Sequence, residues 1–270
     1  MASVSLNIFH SIMSFFSVSL VSLLKNLIIF LIFTFTIATI TLIERKILAL
    51  VQRRVGPNYI GYKGRLQFIA DALKMLLKHI LIVSKLNKGI FIAVPALILM
   101  ISYLFWANLV WSPNLAICEI EYNVLFLCIT STSFSYFTIA VGCLSNSKYA
   151  VMSSLRVIIL GVVVEILLTF WLILLAIMTE ELTFVNMITV QHKCGLNILF
   201  FLPIFPVIVI TFFAETARIP FDLTEAESEL VAGYTTEFGG FYFALFYLGE
   251  YFHLFCFSTA YAIVLTGGWN

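Results

Sequence analysis

Charge is what this chain has least of. Of its 270 residues only 11% are Asp, Glu, Lys or Arg, against 62% hydrophobic, where a soluble domain carries roughly 25% charged residues. The deficit argues against a soluble globular protein and places the bulk of the chain in lipid. The charges present nearly cancel, fifteen basic against fourteen acidic for a net of +1, so nothing electrostatic points to nucleic acid. Cysteine is sparse as well. Cys118, Cys128, Cys143, Cys194 and Cys256 sit in or beside apolar runs, with no C-x-x-C pair and no histidine at metal-ligand spacing. That is the pattern of small buried hydrophobes rather than of iron–sulfur or zinc ligands, so no metal site is expected. No nucleotide loop, haem motif or internal repeat is recognisable, and the missing repeat weakens an inverted-repeat transporter. Met1 to Leu24 contains no Arg or Lys, which does not fit a matrix-targeting peptide. An uncleaved signal-like segment or an interfacial extension over residues 1–22 remains, and the second is the reading adopted.

What the chain has in quantity is apolar length. About 20 apolar residues cross a bilayer as a helix, and six such runs occur, over about Leu23–Ile43, Gly89–Trp111, Tyr122–Cys143, Val157–Met178, Gly195–Ala214 and Phe238–Leu265. Pro203 and Pro206 invite a kink in the fifth. The expected fold is all-α, a polytopic transmembrane helix bundle of about six spans forming one domain over residues 23–270. Long polar segments over 44–88 and 215–237 interrupt it. The first of these adds an amphipathic helix: Leu66, Ile69, Leu73, Leu76, Leu77 and Ile80 recur at helical spacing, with Gln67, Asp71, Lys74 and Lys78 opposite. It lies at the membrane interface, either as a plain surface anchor or with its polar stripe lining a cavity entrance.

Alternating spans sort the charges. Ten Lys or Arg lie in Glu44–Lys88, and with Lys148, Arg156 and Arg218 one face holds thirteen, while the other keeps Lys25 and Lys193. Positive residues stay on the side of synthesis, so the basic face is cytoplasmic or matrix. On that same face Glu215–Glu237 holds six acids against Arg218. Inner segments of opposite sign should attract each other or a common partner, giving an ordered vestibule.

A few carboxylates lie where charge is expensive. An ionised group at the bilayer centre costs about 2.5–3.5 kcal/mol on insertion scales, yet Glu165 and Glu250 interrupt the fourth and sixth spans. Each is either a paired structural residue or a proton-exchanging one, and proton relay is the reading adopted. Glu215 and Arg218 stand at i, i+3 where the fifth span ends before Pro220. Glu225 and Glu229, at i, i+4, share a helical face, while Glu227 lies between them on another. Clustered carboxylates titrate as a set, although in a soluble protein such a run is an ordinary solvated loop.

These charged stretches also carry a family resemblance. Glu44-Arg45-Lys46 followed by Gln52-Arg53-Arg54-Val55-Gly56-Pro57-Asn58, with Gly64, Gln67, Ile69-Ala70-Asp71 and Lys74, resembles the first inner loop of the quinone-chamber membrane subunit, subunit 1, of respiratory complex I. Ser145-Asn146-Ser147-Lys148-Tyr149-Ala150 with Leu155-Arg156 and Glu165 resembles the second signature. The run from Ala214-Glu215-Thr216-Ala217-Arg218-Ile219-Pro220-Phe221-Asp222 to Glu229-Leu230, then Glu237-Phe238 and Gly249-Glu250-Tyr251, resembles the third. The likeness covers about Leu23 to Trp269.

The resemblance implies a subunit of an NADH:ubiquinone reductase that translocates protons, with no redox centre on this chain and ubiquinone as substrate. Glu44, Arg45, Arg54 and Asp71 would line or brace the chamber and its entrance. Arg218, Asp222, Glu225, Glu227 and Glu229 would form its acidic loop, and Glu165, Glu215 and Glu250 would begin the buried relay toward pumping subunits. The implied partners are other membrane and peripheral-arm subunits, including those bearing the clusters and the quinone site. The implied setting is the mitochondrial inner membrane, with a bacterial plasma membrane as alternative. Two departures stand out. Lys78-His79 replaces the family's Lys-Glu after the amphipathic helix, removing a carboxylate from the chamber mouth. The family also continues past Gly267-Gly268-Trp269-Asn270 with two further spans, and a separate chain is expected to supply them. The rival from another class is a proton-coupled transporter using Glu165 and Glu250, and a third reading is a structural assembly subunit.

Overall fold

The computed structural model describes residues 2–79, 88–112, 115–116, 121–144, 147–222 and 233–269, with side chains from residue 24 onward apart from 25, 115–116 and 134–144. The chain divides into two compact units, residues 1–70 and 71–270. Among the described residues four helices are long and apolar enough to cross a membrane, and two shorter apolar helices accompany them. The expected helical, multi-pass architecture is therefore present. A two-stranded antiparallel ribbon, Val110–Ser112 with Leu115–Ala116 (β1 and β2), is a minor exception.

The first unit is built on α1, Ala2–Val51. At 1.5 Å per residue its fifty residues extend about 75 Å, and the span within it is Asn26–Val51. The helix passes through residue 22 without a break. It also overruns the expected span end at Ile43, so Glu44, Arg45 and Lys46 ride its last turns rather than opening a loop. Beyond Val51 the chain folds back on the helix. Gly56 packs beside Ala49, where an added Cβ would stand 3.3 Å from the Ala49 Cβ, and Lys46 Nζ donates to the Lys63 carbonyl at 2.7 Å. Gly64 closes this turn at φ 72, where a Cβ would fall 2.1 Å from the Pro57 oxygen, a place only glycine can occupy. The amphipathic helix α2, Gln67–Leu77, begins at the end of this unit and continues into the second, with no fully buried residue. Ile69, Leu73, Leu76 and Leu77 remain exposed, as an interfacial apolar face requires.

The second unit is a helix bundle. It holds α3 (Lys88–Ala107), α4 (Asn123–Leu144), α5 (Lys148–Thr179), α6 (Phe184–Cys194), α7 (Asn197–Phe200), α8 (Phe205–Glu215) and α9 (Phe241–Thr266). Helix α9 is central, with 61% of its membrane window buried against 28% for α5. It packs on α3, and α4 packs on both α3 and α5. Gly249 makes the α9–α3 approach close, since a Cβ there would stand 3.0 Å from the Ile98 methyl. Small residues let membrane helices draw together in this way.

Three features differ from the sequence expectation. The fourth span starts at Lys148, not near Val157, because Ser147 caps the helix by accepting from the Ala150 N–H at 3.3 Å. Its 32 residues reach about 48 Å, beyond the roughly 30 Å hydrocarbon core. The fifth span is interrupted rather than kinked: α7 ends at Phe200, turns follow, and α8 starts with Pro206 in its first turn, since proline lacks the N–H a continuous helix would need. Helix α6, absent from the sequence reading, buries Phe184, Met187, Ile188 and Gln191 on one face. It is tied to α9 where Gln191 Nε2 donates to the Val264 carbonyl at 2.6 Å; Asn197 Nδ2 donates to the same oxygen at 3.0 Å.

Candidate functional site

The bundle brings three of the sequence-flagged carboxylates into its interior from three helices. Glu165 lies seventeen residues past the start of α5, about 26 Å along it, and is half-buried. The late expected start of that span had placed it too close to the helix end. Glu215 is the last residue of α8, and its side chain is only 11% exposed. The two carboxyl groups are near enough to interact electrostatically, and the Cys128 thiol on α4 feels both.

Helix α9 supplies the groups that sequence reasoning missed. His253 Nε2 lies 3.9 Å from Glu215 Oε1, with 4% of the His side chain exposed. Its ring packs between Phe105, 5.7 Å away between centroids, and Phe257 at 4.7 Å. Two turns on, Tyr261 meets Thr211 of α8, their hydroxyls 3.2 Å apart, and packs near Trp171 and Phe212 at 5.1 Å each. A polar seam thus runs between α8 and α9 through aromatic surroundings. One signal in the sequence pointed to it: His253 follows Glu250 by three residues, which places both on one helical face.

Glu250, also on α9 and half-buried, accepts a hydrogen bond from the Tyr234 hydroxyl. Tyr234 is held by an apolar cluster of Val94, Ile98 and Phe246, with Phe238 against it. Phe238 in turn stacks on Phe91 at 4.2 Å and meets Phe246 edge-on at 4.8 Å. The cage aims the phenol at the carboxylate, and phenols rarely stay buried without such a partner.

The turn after α8 positions Arg218. Its N–H donates to the Phe213 carbonyl at 3.1 Å and the Ala217 N–H to Ala214 at 3.3 Å, the two bonds of a Schellman ending. Ala217 sits at φ 47 in the left-handed position normally given to glycine. Arg218 then lays its guanidinium over the Tyr251 ring, 4.9 Å from the centroid, while Tyr251 and Tyr247 bring their hydroxyls to 3.0 Å. Asp222 is half-buried beyond Pro220. Glu225, Glu227 and Glu229 lie outside the described residues. In the first unit Glu44 is half-buried and Arg45 and Arg54 are exposed; in the second, Asp71 occupies the second turn of α2, half-buried. Among the described residues no group of three or more His, Cys, Asp or Glu could hold a metal ion.

Residues 24–270 match the family model described as NADH dehydrogenase. The chain is 47% identical over 248 residues to "NADH-ubiquinone oxidoreductase chain 1" of Paramecium tetraurelia, covering 92% of this chain and 95% of that protein. It is 35% identical over 258 residues to the protein of the same name from Neurospora crassa, covering 94% and 68%. It is 34% identical over 270 residues to an NADH-quinone oxidoreductase subunit of Cupriavidus metallidurans, covering 96% and 76%.

Proposed function

The chain belongs to the NADH dehydrogenase family, and on that premise we propose that it is a membrane subunit of a proton-pumping NADH:ubiquinone oxidoreductase, which helps form the quinone chamber and starts a buried carboxylate relay. The observation that carries this reading is that Glu215, enclosed at the end of α8, lies 3.9 Å from the buried His253 of α9 and within electrostatic reach of Glu165 on α5. Such an arrangement is costly unless it serves proton or ion movement. Electrons would arrive through cluster-bearing partner subunits, because this chain offers acids, bases and aromatic surfaces. Ubiquinone reduction consumes two protons and changes the charge near the head group. A nearby acid array that gains or loses protons in response can pass the change along the membrane plane.

The chamber assignment draws on the family pattern together with the local geometry. Arg218, laid over the Tyr251 ring, presents a cation where the acidic segment begins. Glu44, Arg45, Arg54 and Asp71 would brace the entrance, and Glu225, Glu227 and Glu229 would complete the acidic loop. The partners are the other membrane subunits and the peripheral arm, and the setting is the mitochondrial inner membrane. The test is Glu215→Gln in the assembled complex. Glutamine keeps the shape and removes the proton-carrying group, so NADH:ubiquinone activity coupled to pumping should fall at least tenfold with assembly intact. Full coupled activity in that variant would overturn the relay.

A further inference from the structure

We propose that His253 is a proton-relay residue joining Glu215 to Glu250, an inference that rests on the carboxylate relay proposed above. Three observations converge on it. The Nε2 atom lies 3.9 Å from Glu215 Oε1 with both side chains almost wholly enclosed. Glu250 lies three residues earlier on α9, so the two side chains leave the helix on one face. Glu250 is itself tied to Tyr234, and Glu215 interacts with Glu165. His253 therefore faces Glu215 across the α8–α9 seam and shares a face of α9 with Glu250.

Imidazole suits that position. Its neutral form accepts at one ring nitrogen and donates at the other. As a proton leaving the Glu215 carboxyl is taken at Nε2, the ring releases its Nδ1 proton toward the Glu250 carboxylate in the same concerted event. The ring is left neutral as the other tautomer, and tautomer exchange resets it. One proton leaves Glu215 and one reaches Glu250, so charge and atoms balance, and the steps run equally in reverse. The 3.9 Å separation is beyond a direct hydrogen bond, so transfer uses a side-chain adjustment or one intervening water. Among titratable groups, Glu215 from α8 faces the ring, Glu165 from α5 and Cys128 from α4 interact with Glu215, and Glu250 and Tyr261 lie on α9 itself. Helix α3 contributes the apolar wall of Phe105.

A packed aromatic histidine with no proton chemistry is the competing explanation, and His253→Phe separates the two because it keeps a ring between Phe105 and Phe257. The complete complex in sealed membrane vesicles is compared as wild type, His253→Phe, His253→Gln and Glu215→Gln, with assembly followed by native electrophoresis. Expected for both His253 variants are intact assembly, a coupled quinone-reduction rate lowered at least tenfold, and a solvent deuterium isotope effect larger than in wild type, because the impaired proton transfer becomes rate-limiting. Wild-type rate, pH profile and isotope effect in His253→Phe, alongside a crippled Glu215→Gln, would overturn the role of His253 and leave the relay standing. Unimpaired Glu215→Gln would overturn the relay itself. Should the phenylalanine variant not assemble, His253→Gln and redox-difference infrared spectra of wild type carrying isotope-labelled histidine decide. A histidine tautomer band that changes on quinone reduction supports the proposal, and unchanged histidine bands overturn it.

Discussion

Tyr234 reaches Glu250 because apolar side chains from separate segments, Val94, Ile98, Phe238 and Phe246, hold its ring, and none of them is adjacent to it in sequence. The carboxylates were visible beforehand as charges inside apolar runs, but their donors were not, since tyrosine and histidine in a 16% aromatic chain carry no signature of their own. Removing only the phenol tests what the contact does. Phenylalanine keeps the ring within its apolar cluster, so Tyr234→Phe should leave the cage and assembly intact. It should slow coupled ubiquinone reduction about tenfold, measured as kcat at saturating quinone. An unchanged kcat would mean that Glu250 does not take part through this contact. Arg218 teaches the same lesson: its place near Glu215 along the chain was legible, whereas its seat over Tyr251 was decided by how α8 ends against α9.

Helix ends control where these groups point. Ala217 occupies a left-handed backbone position that costs a residue with a Cβ about 1 kcal/mol relative to glycine. Ala217→Gly should therefore raise the thermal stability of the purified complex slightly or leave it unchanged. An Ala217→Val variant, β-branched in the same position, should lower it by about 1–2 kcal/mol. Stability falling with glycine would contradict the turn. Gly249 is constrained from the other side, by the Ile98 methyl 3.0 Å from where its Cβ would be. Gly249→Val should push α9 from α3, cost about 1–3 kcal/mol by overpacking, and reduce assembled complex on native gels. Sequence reading placed the spans but not their limits. Hydropathy does not see Ser147 capping α5 well before Val157, nor the helix break that Pro203 and Pro206 force between α7 and α8. Helix α6 was missed although Phe184, Met187, Ile188 and Gln191 follow a helical period, because its eleven residues fall short of a span.

Over the whole molecule, the six apolar runs, one of them broken into two helices, and the sorted basic residues imply that Lys148 and Cys194 lie on opposite faces of the membrane. Helix α5 crosses once between them, and Cys194 is exposed. A membrane-impermeant maleimide should label Cys194 only from the outer side. In a Cys194→Ser background it should label Lys148→Cys only from the matrix or cytoplasmic side. Labelling of both from one face would invalidate the topology. By itself the sequence determined the membrane residence, the approximate spans, the interfacial helix and the family, because each depends on composition and periodicity carried locally along the chain. Only the tertiary structure decided that Glu165 and Glu215 are neighbours, that His253 stands 3.9 Å from Glu215 and that Tyr234 serves Glu250. Those contacts join residues far apart along the chain or on different elements, and they follow from how closely α3, α5, α8 and α9 pack, which no local pattern encodes.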